Sequence, residues 1–300
     1  MVTKYKYEGI ITALVTPVID EEVKIKQLQE LIRFVLDNGA DGVLVLGGTG
    51  EYPALSKKQR IKAVETTVEE VNGKCPVIAG IVAPGLQDAV ETGCDYEKIG
   101  VDAVMLVSPF YVIPKQEGIM NYYLNFMGKV NLPMILYNIP YRTNVNIEPE
   151  TVALLLEKTS QIVGIKESGS DFHQISRFIE LIGDKISFLC GEEHLMFSEL
   201  MLGAKGGILA TANIFPSVWK SMYLNVKEGN IKKAKDIHFK MMPLLRLIFS
   251  ETNPGPLKEA LKYIGLNCGT SLSPLSKPNS KLISKLENAI DELQIWKDKL

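Results

Sequence analysis

Eight short apolar runs recur along this 300-residue chain, and their period limits its fold more than any other feature. They lie at Ile10–Val15, Gly42–Leu46, Val77–Ile81, Ala103–Val107, Met134–Tyr137, Ile162–Ile165, Ile186–Leu189 and Gly207–Ala210. Most are unbroken Val, Ile, Leu and Met, without the polar alternation of a strand that has one face in water. They read as strands buried on both faces, as in a parallel sheet covered by helices. Successive runs start roughly 20–35 residues apart, which is room for one strand–helix unit each.

The stretches between the runs carry helical periodicity. In Ile25–Leu36, residues Leu28, Leu31, Ile32 and Val35 recur at spacings of three and four. Ser56–Val71 opens on Ser56, a residue suited to capping a helix N-terminus, and places Ile61, Val64 and Val68 on one stripe. Eight such units predict an α/β chain closed into a (β/α)8 TIM barrel, which takes roughly 250 residues as a single domain. An open doubly wound sheet is the rival. The eighth unit ends near Val226, so the expected division is a catalytic barrel over 1–226 and a C-terminal helical extension over 227–300. The extension is interrupted by Asn253-Pro254-Gly255-Pro256 and by Gly269–Pro278.

Composition narrows the partners. A formal net charge of −2 gives no electrostatic reason to expect nucleic acid or an anionic membrane. Cys75, Cys94, Cys190 and Cys268 are far apart and form no C-x-x-C pair. A chain of this length buries a core without disulfides, so they read as reduced thiols in a cytoplasmic protein. His173, His194 and His238 lack metal-ligand spacing, and no metal is expected. Met1–Tyr7 is basic but has no apolar segment or small-residue cleavage site. No apolar run approaches the roughly 20 residues of a membrane helix.

In a barrel of this kind the chemistry belongs at the C-terminal ends of the strands. The second run ends in Gly47-Gly48-Thr49-Gly50-Glu51, the fourth in Ser108-Pro109-Phe110-Tyr111 and the fifth in Tyr137-Asn138-Ile139-Pro140-Tyr141-Arg142-Thr143. The sixth ends in Lys166-Glu167-Ser168 and the seventh in Cys190-Gly191-Glu192-Glu193. Lys166 closes an apolar strand, where burial favours the neutral amine that attacks carbonyls. Taken alone it equally fits a lysine that snorkels to water or pairs with Glu167. Gly47–Gly50 suits an anion-binding nest to which Thr49 adds a hydroxyl, or a simple tight turn. Pro53 occupies the third glycine position of a dinucleotide fingerprint, so that reading fails. Tyr137 and Tyr111 fit either proton transfer near the amine or packing. Arg142 fits either a fork for a second carboxylate or a surface salt bridge.

Gly47-Gly-Thr-Gly-Glu51, Ser108-Pro-Phe-Tyr111, Leu136-Tyr-Asn-Ile-Pro140 and Gly164-Ile-Lys-Glu167 together resemble the dihydrodipicolinate synthase / N-acetylneuraminate lyase family, from Gly9 to at least Gly265. The resemblance implies a barrel with a C-terminal helical segment, a homotetramer built as a dimer of dimers, and class I aldol chemistry on pyruvate without metal or diffusible cofactor. It implies that Lys166 forms the imine and that Tyr137 relays protons. It implies that Gly48 and Thr49 lie in the pyruvate carboxylate site and that Ile208 lines the pocket through its carbonyl. It implies that Tyr111 completes the relay across a dimer interface. Tyr-Asn-Ile-Pro-Tyr-Arg-Thr is similar to the synthase version, in which the arginine, here Arg142, holds the carboxylate of aspartate semialdehyde. One position departs. Synthases of the family carry two adjacent threonines in the loop after the second strand, and Gly48 stands at the first.

The leading expectation is therefore a lyase that condenses pyruvate with aspartate semialdehyde, as in lysine and diaminopimelate biosynthesis. A 2-keto-3-deoxy sugar acid aldolase or dehydratase, or an N-acetylneuraminate lyase-like enzyme, would use the same imine. A non-catalytic barrel that binds a keto acid is the reading from another class, and it leaves an imine-forming lysine without purpose.

Overall fold

Successive side chains of a strand point to opposite faces, and in this chain both faces are dry. The computed structural model describes residues 4–297, so Met1–Thr3 of the N-terminal stretch and residues 298–300 lie outside the described residues. Eight strands, β1 (Gly9–Ala13), β4 (Gly42–Val45), β5 (Val77–Ile81), β6 (Ala103–Val107), β7 (Met134–Asn138), β8 (Ile162–Glu167), β9 (Ser187–Cys190) and β10 (Gly206–Leu209), pair in parallel in that order. β1 pairs with both β4 and β10, with Ile11 opposite Gly42 on one side and Ile208 on the other. The sheet is thus a closed barrel, and the open-sheet alternative is ruled out.

The unbroken apolar character of the runs follows from this closure. On β6, Ala103, Met105 and Val107 join an inner cluster with Ile11, Leu44, Ile135 and Ile208, while Val104 and Leu106 join the cluster between barrel and helices. The helical stretches appear as read: α1 (Ile25–Asp37) buries Leu28, Leu31, Ile32 and Val35. α2 (Lys57–Val71) starts at the Ser56 cap, reinforced by a reciprocal bond with Gln59.

Two details depart from the periodic reading. A small antiparallel hairpin, β2 (Val18–Ile19) and β3 (Glu22–Val23), interrupts the connection from β1 to α1. Its turn residues Asp20 and Glu21 both have positive φ, in place of the Asn-Gly or Asp-Gly pairs that advertise such turns. β8 runs through Lys166 and Glu167, so Lys166 is a strand residue and does not merely follow the strand.

The remaining helices on the barrel are α3 (Leu86–Ile99), α4 (Gln116–Met127), the single turn α5 (Pro140–Thr143), α6 (Pro149–Lys158), α7 (Phe172–Ile182), α8 (Met196–Leu202) and α9 (Pro216–Lys227). Three more follow: α10 (Ile231–Ile248), α11 (Gly255–Tyr263) and α12 (Ser280–Lys297). Leu245, Leu257, Leu286 and Ile290 of these last helices share one apolar cluster with the barrel. The interruption at Asn253-Pro254-Gly255-Pro256 is narrower than its composition suggests. α11 begins at Gly255, because Pro256 falls in the first turn, where no N–H is needed.

β5 passes close under the loop that follows β4. A Cβ on Gly80 would lie 2.4 Å from the Leu46 carbonyl oxygen and 3.0 Å from the Gly47 nitrogen, and neither backbone atom can swing away. Gly80→Ala should therefore lower unfolding free energy by about 1–3 kcal/mol, as overpacking does. Chemical denaturation checks this, and an unchanged midpoint would show that the contact is slack.

Candidate active site

Lys166 and Tyr137 are register partners on adjacent strands β8 and β7, so their side chains leave the same face. That face is the interior: Tyr137 belongs to the inner cluster with Ile208, Leu189 and Ile139. The Lys166 Nζ lies 4.8 Å from the centre of the Tyr137 ring, and Lys166 is only 7% exposed. Burial brings its ammonium down from 10.5 to about 8, and the Arg142 charge adds to this against opposite pulls from Tyr141, Glu193 and Cys190. Burial pushes the Tyr137 phenol up to about 12, opposed by Arg142 and Ser168. The pair is thus a readily neutralised amine beside a phenol that keeps its proton at neutral pH.

Glu167, next in the strand, faces the helix layer. Its carboxylate accepts from Asn138 Nδ2 at 2.8 Å, from the Gly169 N–H at 2.5 Å and from Gln174 on α7 at 3.4 Å. It is no partner for Lys166, and the snorkelling alternative fails on burial. Gly191, after β9, passes directly beside the lysine. A Cβ there would sit 2.8 Å from Lys166 Cε and 2.2 Å from Ser168 Oγ, so only glycine leaves the amine its space.

The loop after β4 uses its glycines in a different way from the sequence reading. The left-handed backbone falls on Leu46 (φ 64) and Glu51 (φ 57), not on the glycines between them. Glu51 and Tyr52 donate back to the carbonyls of Gly48 and Gly47, at 3.1 and 3.4 Å. Among the described residues, the N–H groups of Gly48 and Thr49 donate to no backbone carbonyl. A Cβ on Gly48 would meet nothing within 4 Å. Thr49 is buried, and its hydroxyl oxygen accepts from Asn253 Nδ2 at 2.9 Å.

Arg142 sits exposed in the turn α5, its guanidinium carbon 5.8 Å from the Tyr141 ring centre. No carboxylate pairs with it among the described residues, so a surface salt bridge does not account for it. Ile208 is buried in β10 on the inner face, facing the same core as Tyr137. Tyr111 is not brought to the cluster. It is 93% exposed, in a strained left-handed conformation (φ 73), beside exposed Val112 and Ile113.

Residues 6–293 match the model of the Dihydrodipicolinate synthetase family. The chain belongs to this family. It is 39% identical over 288 residues to the 4-hydroxy-tetrahydrodipicolinate synthase of Methanocaldococcus jannaschii, covering 96% of this chain and 99% of that one. Among solved structures, it resembles the 4-hydroxy-tetrahydrodipicolinate synthase of Methylacidiphilum fumariolicum with a TM-score of 0.95 and 34% identity, covering 98% of each chain. It resembles the dihydrodipicolinate synthase of Acinetobacter baumannii, solved in complex with pyruvate, with a TM-score of 0.92 and 31% identity, covering 96% of this chain and 99% of that one.

Two groups near these residues were given no role by the sequence reading. Glu193, fully buried, accepts from Ala210 N–H, from the Thr211 hydroxyl and, at 3.1 Å, from Thr211 N–H. Burial raises its carboxyl above the usual range, while Thr211, Ala210 and Lys166 act the other way. It fastens the segment that follows Ile208 at the barrel mouth. The sequence shows two adjacent glutamates, Glu192 and Glu193, and nothing in their spacing says which one turns inward. Asn253 was visible only as part of a helix interruption.

The pH dependence of the amine tests this electrostatic account. Competitive labelling of lysines across pH should give a midpoint near 8 for Lys166, against about 10.4 for exposed lysines. Because Arg142 depresses it, Arg142→Ala should move the Lys166 midpoint upward. A wild-type midpoint at the ordinary lysine value would contradict the burial argument.

Proposed function

We propose that this chain is a 4-hydroxy-tetrahydrodipicolinate synthase that joins pyruvate to aspartate semialdehyde through an imine on Lys166. The observation that carries the reading is the buried Lys166 amine, brought down to about 8 beside Tyr137, in a chain matched to the family over residues 6–293. The Lys166 nitrogen adds to the keto carbon of pyruvate, and loss of water leaves an iminium. That cation is the electron sink for removal of a methyl proton, so the steps call on no metal or diffusible cofactor. The resulting enamine carbon attacks the aldehyde carbon of the semialdehyde, whose oxygen takes up a proton. The amino group of the added portion then attacks the iminium carbon, closes the ring and expels the Lys166 amine.

The neighbours divide the remaining work. Tyr137, which keeps its proton at neutral pH, delivers and recovers protons at the carbinolamine and at the new alkoxide. Gly48 and Thr49 hold the pyruvate carboxylate, and the Ile208 carbonyl lines the pocket. Arg142, free of an acidic partner, takes the carboxylate of the semialdehyde. Tyr111, too exposed to serve its own chain, enters the site of a neighbouring copy. The adjoining Val112 and Ile113 are exposed apolar surface suited to that contact. The assembly is then a homotetramer of two such dimers, working in the cytoplasm. No helix of the described residues is long and apolar enough to cross a membrane.

One observation favours a second reading. A Cβ on Gly48 would meet nothing within 4 Å, and a position left open where a side chain would fit suits a larger substrate such as a 2-keto-3-deoxy sugar acid. A keto-acid sensor is disfavoured because it would gain nothing from depressing the lysine.

Borohydride reduction with pyruvate should leave a mass-detectable adduct on the peptide containing Lys166. An adduct elsewhere, or none, sinks the imine assignment. A panel of aspartate semialdehyde, sialic acid and keto-deoxy sugar acids then identifies the partner. Arg142→Ala should damage turnover of the semialdehyde far more than that of a neutral aldehyde. Since a side chain at Gly48 meets open space, Gly48→Thr should leave synthase turnover unchanged or raise it. A large fall in turnover would move the assignment to the sugar acids.

A further inference from the structure

The C-terminal extension reaches into the loop after β4 at two points. Glu51, which ends that loop, is 3% exposed at its side chain, and its Oε1 lies 2.6 Å from the Nζ of Lys258 on α11, itself 1% exposed. The other carboxylate oxygen accepts from the Leu272 N–H at 2.6 Å, and the Lys258 ammonium also donates to the Thr270 carbonyl at 3.0 Å. Two residues before Glu51, the Thr49 hydroxyl oxygen accepts from Asn253 Nδ2. The Asn253 Oδ1 is buried and has no hydrogen-bond partner among the described residues.

A buried ion pair is a weak source of stability, because desolvating both charges offsets most of their attraction. What this pair does is hold one end of α11 at a fixed place against the Thr49 loop. The consequence is chemical. A hydroxyl has one proton to donate and two lone pairs to accept with. Since Thr49 accepts from Asn253, its single proton is turned away from Asn253 and is free for an incoming anion.

We propose that the Glu51–Lys258 pair and Asn253 are positioning residues of the substrate-carboxylate site, which makes the C-terminal extension part of that site. The pair fixes the start of α11, and Asn253 orients the Thr49 hydroxyl as a donor. This rests on the reading of residues 47–50 as the pyruvate carboxylate site. It adds that the barrel alone does not complete the site.

Borohydride trapping of Lys166, followed against concentration, tests it with two ketones: pyruvate, and methyl pyruvate, which lacks the anionic carboxylate. In wild type, pyruvate should saturate at the lower concentration. In Asn253→Ala, half-saturation by pyruvate should rise about tenfold, the effect of losing one charge-assisted hydrogen bond. The maximal trapping rate and the methyl pyruvate curve should stay within about twofold of wild type, because neither draws on that bond. Asn253→Asp, which offers Thr49 only an acceptor, should weaken pyruvate further. Glu51→Gln combined with Lys258→Met removes both charges together and should reproduce the Asn253→Ala pattern. Circular dichroism melts report whether that double variant folds, and if it does not, the two Asn253 variants decide. The proposal is overturned if pyruvate and methyl pyruvate weaken in parallel, which is the mark of a merely structural role, or if neither changes. Wild type that is not labelled on Lys166 refutes the imine reading, and this inference goes with it. Wild type that is labelled but saturates equally with both ketones refutes the carboxylate-site reading instead.

Discussion

Closure of the eight-stranded sheet is the constraint on which the rest depends. A closed sheet has no edge, so every strand pairs on both sides, and its two faces must then be filled by apolar side chains. The inner cluster from Ile11 to Ile208 and the outer cluster under the helices are the result. Polar groups enter the barrel at its ends, where strands give way to loops. There Lys166 replaces one apolar inner residue, and the same dryness that stabilises the barrel depresses its amine.

Buried carboxylates do the fastening around that amine. Glu167 ties β8 to Asn138 on β7 and to α7, and Glu193 gathers the N–H groups that follow β10. Glu51 joins the loop after β4 to Lys258 and Leu272 of the extension. Each spends its oxygens on groups that would otherwise be unsatisfied away from water, so the cost of burial is offset locally. The loop after β4 is thereby tied to the C-terminal extension by polar bonds, in addition to the apolar contacts of Leu46, Tyr52 and Leu55.

The periodic elements were legible because their signal is local. Apolar runs placed all eight barrel strands to within about two residues, the ordinary scatter of element ends, and Ser56 marked the start of α2. The hairpin at Val18–Val23 was missed because two-residue strands carry no period and its Asp20-Glu21 turn lacks the usual glycine. The site was partly legible. Lys166, Tyr137, Thr49 and Arg142 stand at strand ends, which topology alone makes candidates. Glu193 and Asn253 were not legible, since their roles depend on which way a side chain turns and on what comes near it from about 18 to 204 residues away.

By itself, the sequence determined the eight barrel strands, their burial on both faces and the motifs that place the chain in its family, because each of these is written in neighbouring residues. Only the tertiary structure decided that the left-handed backbone of the loop after β4 falls on Leu46 and Glu51, that Glu167 turns away from Lys166, and that Tyr111 is exposed on its own chain. It alone brought Lys258 and Asn253 to the loop after β4. The physical reason is that burial and pairing are properties of what surrounds a group. Closure of the barrel supplies those surroundings from segments that have no reason, in sequence, to be near one another.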